Sequence, residues 1–148
     1  MEAVDPLDRM ERLEILGGVP LFSGLSVEEL ESISEVTALR THGAGEVVLA
    51  QGEPGAEMLV LVEGSVEVIH RGSAEGRRLA TLGPGAVVGE LAIFRGAPRA
   101  ADVVAGSNGV SGLVIDAATL DLILQERPQI ALSLLAALAD KLAEASVA

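Results

Sequence analysis

The sequence predicts a mainly β fold of the α+β class, a sandwich or jelly roll with helices before and after it. Three observations lead there. From Val36 to Ile115, glycines recur every few residues between short runs of Val, Ile and Leu. Turn segments such as Glu63-Gly64 and Gly83-Pro84-Gly85 separate those runs, as in proteins built from many short strands. At both ends of the chain, apolar residues return at helical rather than alternating spacing.

Residues 7–16 read as a short helix, with Leu7, Met10, Leu13 and Leu16 recurring on one face and Gly17-Gly18 as the stop. Val19-Pro20-Leu21-Phe22 is a turn carrying two apolar anchors. Ser26 and Glu29 fit a capping box, each side chain satisfying a free N–H at the helix start. Leu30 and Ile33 then face inward from a helix that ends near Glu35. The strand candidates are 47–50, 58–62, 65–69, 78–82, 103–105 and 112–115. Asp116 suits the cap of a helix over 117–126, with Leu120, Ile123 and Leu124 inward. Pro128 opens a last helix over 128–146 carrying Ile130, Leu134, Leu135, Leu138 and Leu142. That apolar stripe suits the β body or a second chain.

A length of 148 residues fits one domain, 1–148: a helical lead-in over 7–35, a β-roll over 36–116, and hinge and lid helices over 117–146. Hydrophobic residues make up 49% and aromatics 1%, so the core must be aliphatic. A net charge of −12 speaks against a nucleic-acid surface, and it requires any phosphate site to be local. The absence of cysteine excludes disulfides and thiol chemistry. The first residues lack a secretory pattern, and no apolar run approaches the ~20 residues that cross a bilayer. The expectation is a cytoplasmic protein with no membrane segment.

The chemistry concentrates in Pro84 to Ala101, where glycines, one acid and one arginine interrupt an apolar run. Gly85 and Gly89 open backbone angles closed to other residues and allow close approach to the main chain. Glu90-Leu91-Ala92-Ile93-Phe94 can start a helical turn, whose first N–H groups attract anions. Pro98 stiffens the chain before Arg99, and a guanidinium grips two phosphate oxygens at once. A carboxylate at Glu90 repels phosphate but accepts a hydrogen bond from a sugar hydroxyl. Together they suit a singly charged phosphate beside a free hydroxyl, as in a 3′,5′-cyclic nucleotide. Arg99 also has bland readings, an ion pair with Glu90 or a solvated arginine. Glu90 can be a plain helix-start carboxylate, and Gly89 a turn glycine.

Gly89-Glu90-Leu91-Ala92 followed by Pro98-Arg99-Ala100-Ala101 closely resembles the phosphate-binding cassette of the cyclic-nucleotide-binding domain family. That family includes the bacterial cAMP receptor protein, regulatory subunits of cAMP-dependent protein kinase and cyclic-nucleotide-gated channels. Pro20 to Ser26, Gln51 to Gly55 and Val62 to Val66 resemble its helical opening and barrel turns, so the resemblance runs over about 13–146. It implies an eight-stranded antiparallel β-roll with N-terminal helices and two C-terminal helices. It implies ligand contacts from Gly89, Glu90, Leu91, Ala92, Arg99 and Ala100, with Glu90 on the ribose 2′-hydroxyl. Ala100 lacks the hydroxyl that favours cGMP in the family, which leans the ligand to cAMP, with cGMP as the other choice. Asp102 departs from the family's usual Thr and in a strand should point opposite to Arg99 and Ala101. No aromatic residue is placed to stack on a base. Leu138 and Leu142 are candidates to cap it, though core or dimer packing explains them equally well.

His42 and His70 stand alone, without the spacing of a barrel metal site, and read as surface residues. Arg71, Arg77 and Arg78 read as a solvated face flanking a hairpin. No catalytic residue, metal or cofactor is expected, and the chain is read as a sensor rather than an enzyme. With no room for a DNA-binding, kinase or channel segment, the expected output is an effector protein or a homodimer through the last helix. The rivals are an interaction module that keeps the fold without the ligand, and a small barrel enzyme.

Overall fold

Two long strands paired along nearly their whole length carry the β unit, Thr37–Ala117. The structure, a computed structural model, describes residues 7–72 and 77–145. In chain order the strands are β1 (Ala38–His42), β2 (Val47–Leu49), β3 (Glu57–His70), β4 (Arg77–Leu82), β5 (Val87–Val88) and β6 (Asp102–Asp116). All pairings are antiparallel. The sheet runs β1-β6-β3-β4, with β2 on β6 and β5 on β3.

The described residues hold six strands, not eight. The segments 58–62 and 65–69 are one strand, and so are 103–105 and 112–115. Glu63-Gly64 read as a turn because glycine is a common turn residue, and in the structure Gly64 does take a left-handed φ of 81°. In the fold that glycine is a bulge: the β3–β6 register shifts between Leu61 and Glu63 and again between Gly64 and Val66. The irregularity has a packing consequence. Leu59 and Leu61 face the core before it, and Val66 after it, so the inward parity changes from odd to even. On β6 the switch is from Val103 and Ala105 to Val110 and Val114. Both halves of each strand thus line one core, which Leu49 and Val88 complete. Strands β1 and β5 were not among the expected ones.

In the helical unit, formed by Met1–Val36 and Ala118–Ala148, α1 (Arg9–Gly17) packs on α2 (Val27–Ser34). Asp8 caps α1, accepting from the Glu11 N–H at 2.8 Å. Leu16 is buried, but Met10 is 67% exposed, so the apolar face is narrower than expected. The 19–22 turn is a 3₁₀ turn over Pro20–Phe22 that buries Leu21 and Phe22. The capping box is present: Glu29 N–H donates to Ser26 Oγ at 3.2 Å and Ser26 N–H to Glu29 Oε1 at 2.9 Å. Ile33 is fully buried and Leu30 partly.

Helices α4 (Ala117–Glu126) and α5 (Pro128–Ala145) meet at a bend of 116°. Pro128 causes the break, since the residue before a proline is pushed out of helical angles. Residue 146, the expected end of α5, lies outside the described residues. Ile130 and Leu134 are buried, and α5 packs on the 3₁₀ turn. Leu135 and Leu142 are instead 61% and 73% exposed. Among the described residues no single helix is long and apolar enough to cross a membrane.

Candidate functional site

The turn before β5 delivers the cassette. Gly85 N–H donates to Leu61 O at 2.8 Å, and Leu61 N–H to Ala86 O at 2.9 Å. Val87 and Val88 then pair with Val60 and Leu59. At Gly89 the chain turns left-handed, φ 88°, and starts the helix α3 (Glu90–Arg95). A second left-handed glycine, Gly96, closes it by donating to Ala92 O and Ile93 O. No side chain caps the start of α3. Its first N–H groups therefore have no partner within the helix.

Arg99 is placed from both sides. Its N–H donates to Glu53 O at 2.8 Å, and its carbonyl accepts from Gly52 N–H at 2.9 Å. Its side chain turns inward and is 7% exposed. Nη2 donates to Glu57 O at 2.7 Å, and Nη1 reaches Gly89 O at 3.4 Å. Both acceptors are neutral main-chain carbonyls. The Glu57 carboxylate is engaged elsewhere, paired with Arg40. Among the described residues Arg99 forms no ion pair, so the expected alternative of a bridge to Glu90 is not what is found. Burial pushes the Arg99 pKa down, and the nearby charges of Glu57 and Glu53 pull it partly back. A guanidinium nevertheless stays charged in proteins, so the site holds a buried cation whose bonds, among the described residues, are to carbonyls alone.

Gly89 is essential to this arrangement. A Cβ there would sit 2.9 Å from Arg99 Nη1, from Glu57 O and from Leu49 Cδ1. Glu90, the next residue, is buried at 6% exposure. Leu91 is 53% exposed, Ala92 partly buried and Ala100 exposed. The fold thus brings Gly89 and Arg99 together, with Glu90, Leu91 and Ala92 forming the start of α3. Leu138 and Leu142 belong to the helical unit, the first partly buried and the second exposed. A cavity of about 330 Å³ also lies on the cassette, lined by Gly52, Pro54, Gly55, Ile93, Pro98 and, of the expected site residues, Ala92 alone.

Asp102 is buried, and its carboxylate points to two structural partners. Oδ1 accepts from Gln51 N–H at 2.7 Å, and Oδ2 pairs with Arg71 Nε at 2.8 Å. Arg71 is therefore not simply part of a solvated face, and Arg78 is likewise paired with Glu67 at 3.0 Å. The sequence carried no signal for Arg71, because its partner is far away in the chain and meets it only through β3–β6 pairing. The histidines also differ from expectation in part. His70 is exposed, but His42 is mostly buried, with Nδ1 3.3 Å from Glu46. Among the described residues no three His, Cys, Asp or Glu side chains are grouped to hold a metal ion.

Fold and site together define a β-roll domain that carries a buried arginine on the loop after α3. The chain belongs to the cyclic nucleotide-binding domain family, whose model matches residues 39–127. A cyclic nucleotide-gated potassium channel of Mesorhizobium japonicum is 37% identical over 124 residues, 84% of this chain and 33% of the channel. A cAMP-dependent protein kinase regulatory subunit of Mycosarcoma maydis is 41% identical over 92 residues, 62% of this chain and 18% of that protein. Among solved structures, the N-terminal domain of a transcriptional regulator from Streptomyces coelicolor superposes with a TM-score of 0.78. It is 32% identical, with 90% of this chain and 96% of that one covered. The chain spans a third or less of the two curated relatives named here.

Proposed function

We propose that this chain senses a cyclic nucleotide, with cAMP preferred over cGMP, and signals to an effector protein through its C-terminal helices. The observation that carries the reading is Arg99: a buried guanidinium, held by two main-chain carbonyls and, among the described residues, without an ion pair. A buried charge in that state is costly unless a counter-charge arrives. The ring phosphate of a cyclic nucleotide supplies one negative charge of the right size. In this reading Gly89, Leu91 and Ala92 offer main-chain N–H groups to the phosphate, and Glu90 accepts the ribose 2′-hydroxyl. Ala100, without a hydroxyl, offers guanine no extra bond. Leu138 and Leu142 are proposed to cover the base.

The domain is proposed to be non-catalytic and to work as one unit over 1–148, within the cytoplasm. Ligand capture would bias α4 and α5, which it can do only by preferring one arrangement of them. A module that kept the fold and lost the ligand is the second reading. The engagement of Asp102 by Arg71 counts against it, since that carboxylate is already neutralised. Calorimetry with cAMP and cGMP tests the proposal. Binding of both, with cAMP tighter, is the expected result, and heat from neither overturns the sensor reading in favour of the module.

A further inference from the structure

Asp102 and Arg71 meet at the register pair Ile69–Asp102, where the end of β3 adjoins the start of β6. Their interaction includes a third residue, Gln51. Arg71 N–H donates to Gln51 Oε1 at 2.8 Å, and Arg71 Nη2 donates to Gln51 O at 3.2 Å. Asp102 Oδ1 accepts from Gln51 N–H. Gln51 is thus held at its N–H, its carbonyl and its side chain. The next two residues are the ones that grip the main chain of Arg99, through Gly52 N–H and Glu53 O. A connected set of bonds therefore runs from Arg71 through Asp102 and Gln51 to the arginine of the cradle. The pair has an electrostatic side as well. Asp102 is 9% exposed, so its buried carboxylate needs a counter-charge, which Arg71 supplies.

We infer that Arg71 and Asp102 act as a positioning pair for Arg99, holding the 51–53 segment that sets the arginine's place while cancelling the Asp102 charge. Neither residue needs to touch the ligand. The consequence for affinity rests on the cyclic-nucleotide reading above, but the consequence for the geometry of Arg99 does not.

The test uses the full chain with Arg71→Gln, Arg71→Lys and the double variant Arg71→Gln/Asp102→Asn. The first readout is amide hydrogen exchange without ligand, and the second is cAMP affinity. Arg71→Gln is expected to speed exchange at the Gly52 and Arg99 amides about tenfold, with Leu113–Ile115 unchanged. It is expected to weaken cAMP about tenfold, and Arg71→Lys to restore affinity to within about threefold. The double variant is expected to bind better than Arg71→Gln, because no charge is left stranded; a merely structural contact would make it at least as weak. Unchanged exchange at Gly52 and Arg99 in Arg71→Gln overturns the inference. So does faster exchange with cAMP affinity equal to wild type. Faster exchange in a protein whose wild type binds no cyclic nucleotide upholds the positioning and removes the sensor reading instead.

Discussion

The guanidinium of Arg99 donates to the main-chain oxygen of Glu57 at 2.7 Å, while the carboxylate of the same Glu57 is paired with Arg40. One residue thus orients the cation without neutralising it. A carbonyl fixes direction, and it leaves the positive charge for something else to meet. Had the Glu57 carboxylate taken that place, the site would be a closed ion pair with little use for an anion.

Arg99→Ala should therefore weaken cAMP binding at least about tenfold, since a charge-assisted bond contributes roughly 1.5–3 kcal/mol. Arg99→Lys should lose nearly as much, because an ammonium cannot span the Gly89 and Glu57 carbonyls as a planar fork does. Thermal unfolding gives a second view. At about 100 times Kd a ligand adds ~2.7 kcal/mol, which for a chain of this length raises Tm by roughly 5–10 °C. Wild type should show the rise and Arg99→Ala should not. An alanine variant with wild-type affinity in calorimetry removes the role of Arg99.

Glu90 is tested by the ligand rather than by the protein. With Glu90 6% exposed, a bond from the ribose 2′-hydroxyl to its carboxylate would be sheltered from water. Replacing cAMP by its 2′-deoxy analogue should cost about tenfold in affinity, within the range for a hydrogen bond to a charged group. Equal affinities for the two ligands would take Glu90 out of the site.

Two glycines separate backbone strain from crowding. Gly45 and Gly64 both have positive φ, 78° and 81°. A Cβ on Gly45 meets nothing within 4 Å, whereas one on Gly64 would lie 2.1 Å from Gly109 O. Gly45→Ala should cost about 1–2 kcal/mol for the left-handed angle alone. Gly64→Ala must also push apart the bulge that resets the strand parity, and should cost about twice that or more. Urea unfolding of the two variants measures the difference, and equal losses would mean the bulge yields freely.

Local signals were the legible ones. Ser26 and Glu29 announced their reciprocal bonds because all partners lie within one helical turn. The nearness of Gly89 to Arg99 was within reach of the sequence because only ten residues of one contiguous segment separate them. Strand β1 was hidden by its composition: Arg40, Thr41 and His42 give no apolar alternation, and pairing with β6 creates the strand. The Val87–Val88 strand was too short to stand out. The fused strands were misread because a glycine with positive φ reads the same whether the chain reverses or bulges. The Arg71–Asp102 pair depends on tertiary pairing alone, so Asp102 read only as a departure from the usual Thr, with no partner in view.

The Arg99 cradle lies inside the span enclosed by β3 and β6, whose pairing runs from Ile69–Asp102 out to Glu57–Asp116. Joining such distant partners requires closing a long loop, a slow and cooperative step compared with local turns. A nascent chain halted just after Arg99 would contain Gly89, Glu90 and Arg99 and the short partners β4 and β5, but not β6, which pairs with β3 along nearly its whole length. Competence to capture a ligand should then emerge late and abruptly during synthesis, once the ribosome has released the residues through Asp116.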